Sequence, residues 1–411
     1  MIDLGAVPQY GRIEVALNEA RVRRLQERSG NALGVAMGAG AGRWTLSAAE
    51  FVGSLVVDDM RVLIRPKIPP ENLFLLLEVG LPPDAWRREA FEYSVTGDLL
   101  PAVVSFLART IETTLARGLL HSYQRVGEEL VALRGRVDVA ASFRQPGRVA
   151  PVPCDFEEFT EDVFENRYLR AAVRRCLLVP RVLPEDRRRL LKLIAEMERV
   201  SEVHVHPKNL DQLVVTRLNE HYLPALRLAR IVLENLTMID QRGTTSASSF
   251  LVDMNKLFER FVSERLRRAL LGRLEVRTEP RVDLDLESRV RMYPDLQFRR
   301  RGHTVFVGDL KYKLVGDARA RNADYYQLLA YTTALNLPEG VLIYCLADGG
   351  VQQGLATVRH AGKRLHLWAL DLSGSAAEIQ RQIETLADWI AELSLLGSAR
   401  LSRTPGLDPG R

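Results

Sequence analysis

Apolar and polar positions follow three successive rhythms along the chain. Residues 1–95 favour strands. Gly53-Ser-Leu-Val-Val57 and Met60-Arg-Val-Leu-Ile-Arg65 flank Asp58-Asp59, and two β-rich runs around a polar pair predict a hairpin. Pro66, Pro69 and Pro70 end the second run, because proline cannot donate to a ladder. Residues 34–42 are glycine-rich but lack the closing Gly-Lys-Ser/Thr of a phosphate loop, so a flexible loop is expected there.

Between residues 96 and 245 the spacing lengthens. Leu99, Val103, Phe106, Leu107, Ile111 and Leu115 recur at about 3.6 residues and predict a helix. Residues 161–178, 184–200 and 219–238 repeat the pattern, and Pro184 suits a first helical turn. Residues 133–138 read as a short strand after a turn. Residues 241–249 are small and polar, the composition of a linker.

Beyond the linker the order becomes helix, strands, helix, strand. Phe250, Met254, Leu257, Phe258, Phe261, Leu266 and Leu270 form an apolar stripe, predicting a helix from residue 248. Residues 291–298 and 304–314 read as strands joined through Arg299-Arg-Arg-Gly-His303. Residues 319–335 are helical and residues 340–346 a buried strand. The chain therefore reads as an α+β multidomain protein: a β-rich N-terminal domain (1–95), a mainly helical middle region (96–245), and an α/β domain with a central mixed sheet (246–395). Residues 396–411 lack periodicity and are expected to be disordered.

Composition narrows the class. An apolar fraction of 46% over 411 residues supports buried cores. A net charge of +5 permits a polyanionic partner without demanding one. The three cysteines, Cys154, Cys176 and Cys345, are too scattered for a disulfide framework or a cysteine zinc cluster. The start Met1-Ile2-Asp3-Leu4 is unlike a signal peptide, and no apolar run approaches the roughly 18 residues of a membrane span. A cytoplasmic location away from membranes is expected.

The candidate chemistry sits in Tyr293-Pro-Asp295 and Gly308-Asp-Leu-Lys-Tyr-Lys313. Alternation along a strand puts Asp309, Lys311 and Lys313 on one face, and a short hairpin brings Asp295 beside them. Charges on a buried face cost several kcal/mol unless paired or metal-bound. Carboxylates with a lysine are what metal-assisted phosphodiester hydrolysis requires, since divalent cations offset transition-state charge and activate water. Glu259 interrupts an apolar stripe, where a role near the metal accounts for it. Gln327 and Tyr331 share a helix face behind the strand, placed to orient Lys311 or touch phosphate. Taken singly, each has an ordinary reading: a turn acid, a solvated edge strand, a helix-surface ion pair.

Other features are weaker. His204 and His206 would share a strand face but lack a third ligand, so a structural or surface role is expected. Arg187-Arg-Arg189 reads as a solvated helix face. Arg265, Arg267 and Arg268 read likewise, with phosphate contact as their alternative. Arg61, Arg65 and Lys67 are placed to meet an acidic protein partner. Arg299, Arg300 and Arg301, in the hairpin beside Asp295, are better placed for DNA-backbone contact, as is Lys313.

Pro294-Asp295 with Asp309-Leu-Lys311 resembles the PD-(D/E)xK nuclease superfamily, and Gln327-Leu-Leu-Ala-Tyr331 resembles the Q-x-x-x-Y motif of its RecB-like branch. Asp253-Met-Asn-Lys-Leu-Phe-Glu259, Ile64-Arg-Pro-Lys-Ile68, Leu133-Arg-Gly-Arg-Val-Asp138, Cys154-Asp-Phe-Glu-Glu-Phe-Thr160 and Glu165-Asn-Arg-Tyr-Leu169 resemble the McrC family, the nuclease subunit of the McrBC 5-methylcytosine-dependent restriction system. The resemblance spans residues 50–346. It implies a PD-(D/E)xK core with Mg²⁺, or alternatively Mn²⁺, held by Asp295, Asp309, the Leu310 carbonyl and Glu259, with Lys311 positioning or activating water. It also implies a separate McrB-like AAA+ GTPase ring that binds GTP, docking through the N-terminal region, and double-stranded, methylated DNA as substrate. This chain has no Walker A motif, consistent with a separate motor. Rival expectations are a regulatory adaptor of the motor and a stand-alone RecB-like repair nuclease.

Overall fold

The structure, a computed structural model, describes residues 2–77, 89–90, 93–94, 97–144, 147–179, 182–239, 247–312, 318–346 and 353–401. The chain divides into two compact units, Met1–Gly97 with Leu251–Arg411 and Asp98–Phe250.

The first unit begins with β1 (Ile2–Pro8), β2 (Arg12–Ala16), β3 (Leu33–Met37), β4 (Arg43–Ala48), β5 (Phe51–Val57) and β6 (Met60–Arg65). Strands β5 and β6 pair antiparallel with Val57 opposite Met60, so Asp58-Asp59 is the predicted hairpin turn. Strand β1 joins β6 in parallel. The expectation of a loop over residues 34–42 holds for residues 38–42, which form a turn, and is corrected for Gly34 to Met37: Leu33 to Met37 pair with Ala48 to Trp44. Glycine here marks close approach, since a Cβ on Gly38 would stand 2.9 Å from the Arg43 carbonyl oxygen.

In the second unit the helix Leu99–Leu115 starts at Asp98, whose side chain accepts from the Leu100 amide at 3.3 Å. It packs with Phe164–Leu177, Pro184–Glu196 and Leu223–Asn235, burying Val103, Phe106, Tyr168 and Leu226. This unit also holds a sheet, β7 (Ser122–Leu130), β8 (Arg136–Val137) and β9 (Val152–Thr160), in the order β7-β9-β8. Only its shortest strand is foreseen in the sequence. Strand β7 is polar on both faces, so alternation carries no signal. His204 and His206 lie outside any strand; His206 instead caps the turn Pro207–Gln212, its Nδ1 accepting from the Lys208 amide at 3.2 Å. Strand β10 (Leu236–Ile239) pairs with the start of β11 (Ala247–Asp253).

The helix expected from residue 248 begins later, as Met254–Ala269, because Asp253 accepts from the amides of Asn255 and Lys256 and fixes the start there. Phe250 is a strand residue. There follow β12 (Glu275–Thr278), β13 (Val282–Asp283), β14 (Arg291–Met292), β15 (Leu296–Arg300), β16 (His303–Lys311), the helix Ala318–Ala334, β17 (Glu339–Leu346), β18 (Gly354–Thr357), β19 (Arg364–Asp371) and the helix Ala376–Leu401. The strand expected over residues 291–298 is thus broken in two, with Tyr293-Pro-Asp295 as its joint, and the last helix runs past the expected limit at 396. Six strands form one mixed sheet in the order β12-β15-β16-β17-β19-β18. Strands β16, β17 and β19 are parallel, which requires a crossover such as Ala318–Ala334.

That helix covers one face of the sheet over Val307, Leu328, Tyr331, Leu342 and Tyr344. It approaches closely at Gly340, where a Cβ would stand 2.9 Å from Leu328 Cδ1. Helices Met254–Ala269 and Ala376–Leu401 cover the other face, with Phe258 against Tyr312 and Trp389 against Phe306. Among the described residues no helix is long and apolar enough to cross a membrane.

Candidate active site

Strand β16 reaches the middle of the sheet with alternate side chains on opposite faces. Phe306 and Tyr312 enter the aromatic face, while Val307 belongs to the cluster under Ala318–Ala334, so Asp309 and Lys311 are carried to that second face. Asp309 is fully buried, and neither carboxylate oxygen accepts a hydrogen bond. The Lys311 ammonium stands 2.5 Å from Oδ2 as an ion pair.

Asp295, one residue ahead of β15, turns toward the same place. Its Oδ2 accepts from the Leu310 amide at 2.6 Å. The N–H and C=O of a strand residue point to the same side, so the Leu310 carbonyl faces Asp295 as well. Burial raises the Asp295 pKa, and the charges of Asp309 and Glu259 raise it further. Burial opposes charge on Lys311, but Asp309, followed by Asp295 and Asp324, outweighs it and raises that pKa.

Glu259 comes from the Met254–Ala269 helix. Its carboxyl is pushed up to about 7 by burial, which overcomes the nearby Lys311 charge. Asp295, Asp309 and Glu259 do not close into one three-carboxylate group; among the described residues no three His, Cys, Asp or Glu side chains do. Gln327 donates to Tyr331 Oη at 2.6 Å, and that hydroxyl donates to the Tyr293 carbonyl at 3.3 Å. The two motif residues thus fasten the loop that carries Asp295.

Of the arginines beside the site, Arg299 binds the Gly302 carbonyl and stands 3.5 Å from Glu275, while Arg300 reaches the Ala391 carbonyl at 3.4 Å. Arg301 is exposed at the turn with φ of 48°. Lys313 lies outside the described residues. Arg265 lies over the Phe261 ring and binds Gln380, and Arg267 and Arg268 both pair with Glu264.

Four residues that sequence reasoning passed over support this face. The Tyr10 hydroxyl donates to the Tyr312 carbonyl at 3.0 Å, and the Gln9 side chain donates to the Glu50 carbonyl at 3.0 Å. The Glu50 carbonyl also receives the Met254 amide at 3.1 Å, so the N-terminal segment braces both β16 beyond Lys311 and the start of the helix carrying Glu259. Nothing local in the sequence signals contacts across some three hundred positions. Asp324 and Tyr344, buried and bonded at 2.8 Å, complete the set. Asp324 had a signal, because it precedes Gln327 by three positions on one helix face.

Fold and site together define an α/β protein whose central mixed sheet presents a sealed carboxylate, a second carboxylate and a lysine on one face. A family model described as McrBC 5-methylcytosine restriction system component matches residues 46–345. The chain belongs to that family. Its fold is similar to a chain in the refined half-complex from the tetradecameric assembly of Thermococcus gammatolerans McrB AAA+ hexamers with bound McrC, with TM-score 0.51 and 19% identity over 94% of this chain and 99% of that one. A chain of the Thermococcus gammatolerans McrBC complex matches with TM-score 0.43 and 21% identity, over 66% of this chain and 88% of that one. Comparison with curated proteins yields no match.

Proposed function

We propose that this chain is the DNA-cleaving subunit of a McrBC-like, modification-dependent restriction complex, a divalent-metal-dependent endonuclease working with a McrB-like AAA+ GTPase ring. The observation that carries the reading is Asp309, a fully buried carboxylate held against the Lys311 ammonium and facing a second buried acid, Asp295. Packing does not retain two such acids around one ammonium, since buried charge costs several kcal/mol unless it is paired or metal-bound. A ligand that uses the carboxylate oxygens resolves the cost.

The donor set fits a hard cation: Asp295, Asp309 and the Leu310 carbonyl are all oxygen donors. Mg²⁺, with Mn²⁺ as a substitute, would be held there and would offset charge at the scissile phosphate and lower the pKa of water. Lys311 keeps its proton and places positive charge beside Asp309, where the attacking water or a phosphate oxygen is held. Gln327 and Tyr331 fix the Tyr293 loop and so the aim of Asp295. Glu259, neutral or charged near physiological pH, is the outer acid of the group. Arg301 is the hairpin residue placed to meet the DNA backbone. GTP binding is assigned to the partner ring, as is reading of the modified base. The solved half-complex pairs McrB AAA+ hexamers with McrC, and the family membership supports the same division of labour for this chain.

The test is cleavage of methylated double-stranded DNA by the chain assembled with its AAA+ partner, GTP and Mg²⁺. Asp309→Ala and Lys311→Ala should each lower cleavage by at least about a thousandfold while GTP hydrolysis by the complex is retained. Cleavage near the unaltered rate by either variant would refute the assignment.

A further inference from the structure

One buried acid on the same face has no part in that scheme. Asp324 lies on the Ala318–Ala334 helix with 4% of its surface exposed, and its Oδ2 accepts from the Tyr344 hydroxyl at 2.8 Å. Tyr344 is in turn the cross-strand partner of Lys311, in the parallel register of β16 with β17. Neighbouring strands run about 4.8 Å apart, so Tyr344 flanks Lys311 and hands its hydroxyl to Asp324.

We propose that Asp324, fixed by Tyr344, is a positioning residue for Lys311: a second counter-charge that keeps the ammonium on the active face when Asp309 turns its oxygens to a metal ion. This inference rests on the cleavage reading above. Its logic is one of charge balance. Lys311 sits 2.5 Å from Asp309. A cation held by Asp309 would occupy those oxygens and repel the ammonium, so a lysine held by Asp309 alone would swing away. Asp324 and Tyr344, approaching from the helix and from β17, anchor it without competing for the cation.

The experiment compares Asp324→Asn, Asp324→Glu, Tyr344→Phe and Asp309→Ala in the assembled complex. It measures turnover and KM on methylated DNA, Mn²⁺ affinity by calorimetry and the thermal midpoint. Asp324→Asn should lower kcat about 10–100-fold, the range for a group that orients another. KM and Mn²⁺ affinity should stay within about threefold, because the metal ligands are untouched. Asp324→Glu should recover part of the loss. Tyr344→Phe, which removes one hydroxyl and keeps the core filled, should lower kcat about 3–10-fold. If Mn²⁺ affinity falls in step with turnover, Asp324 is a metal ligand and the inference is overturned. Loss of turnover accounted for by loss of folded protein overturns it too. If Asp309→Ala is dead while Asp324→Asn and Tyr344→Phe cut normally, this inference alone fails. If Asp309→Ala still cuts, the cleavage reading fails and this falls with it.

Discussion

Asp162, in the helical unit, keeps 21% of its side chain exposed, and Asp309, in the sheet unit, keeps 1%. The more exposed acid is the better satisfied. Arg167 donates to both Asp162 oxygens at 2.7 Å, and the Ser201 amide and hydroxyl add bonds of 2.7 and 2.6 Å. Those partners hold its pKa well below the usual carboxylate range, the Arg167 bond foremost. Asp309 has the Lys311 ammonium against Oδ2 and faces a second buried acid, Asp295, whose proton affinity it raises. The difference separates an acid that ties a fold together from one held ready for something else. Depth alone would have ranked the two the wrong way round.

The largest effect expected from this contrast is at Asp162. Asp162→Ala strips Arg167 and Ser201 of their acceptor and should cost about 3 kcal/mol, read as a lowered thermal midpoint. Cleavage by the folded fraction should not change. Because the folded pKa is depressed, the stability is present above about pH 4 and is lost as pH falls through the folded value, so wild type and variant should converge in acid. A midpoint unaltered at neutral pH would remove Asp162 from the structural side of the comparison.

Asp309→Asn should move stability the other way, adding about 1–2 kcal/mol, read as a raised thermal midpoint in metal-free buffer. The variant gives up the ion pair with Lys311, but the charges of Asp295 and Asp324 still act on that ammonium, and Glu259 lies within reach of its charge. Removing one of several acids around one base therefore relieves more repulsion than it forfeits attraction. A midpoint lowered by Asp309→Asn would show that the acid is part of the fold after all.

How much of this was legible in the sequence depends on the range of the physics involved. The Val57–Met60 hairpin, the helix beginning at Asp98 and the buried strand β17 follow from local periodicity and local caps. Asp295, Asp309 and Lys311 stand out because charges interrupt apolar strands, and the structure brings the three together. Residues 34–37 depart from the expected loop because glycine content signals a loop, whereas pairing with β4 needs only backbone. Strand β7 was missed because exposed polar strands lack alternation. The Tyr10–Tyr312 and Gln9–Glu50 contacts join segments far apart in the chain, and no local rule reaches them. Asp324 was overlooked for another reason: an acid on a helix reads as a solvated face until its burial is seen.

Glu259 lies between the two kinds of acid, and its expected effect is the smallest. It is neither clamped like Asp162 nor sealed like Asp309, and burial brings its carboxyl to about 7 against the pull of Lys311, with Asp253, Glu279 and Asp309 adding to the rise. An unfolded glutamate titrates near pH 4.3, so the folded chain holds this proton more tightly. The stability so gained is complete below about pH 4 and disappears as pH rises through about 7. Glu259→Gln keeps the shape and removes the titration. Melting curves in metal-free buffer should therefore nearly coincide at pH 5 and separate by pH 8, with the glutamine variant the more stable by on the order of 1 kcal/mol once solvent screening is allowed for. Curves that stay parallel across that interval would make Glu259 an ordinary surface acid. Curves that separate would place it with Asp309, as charge held at a cost to the fold because the proposed chemistry uses it.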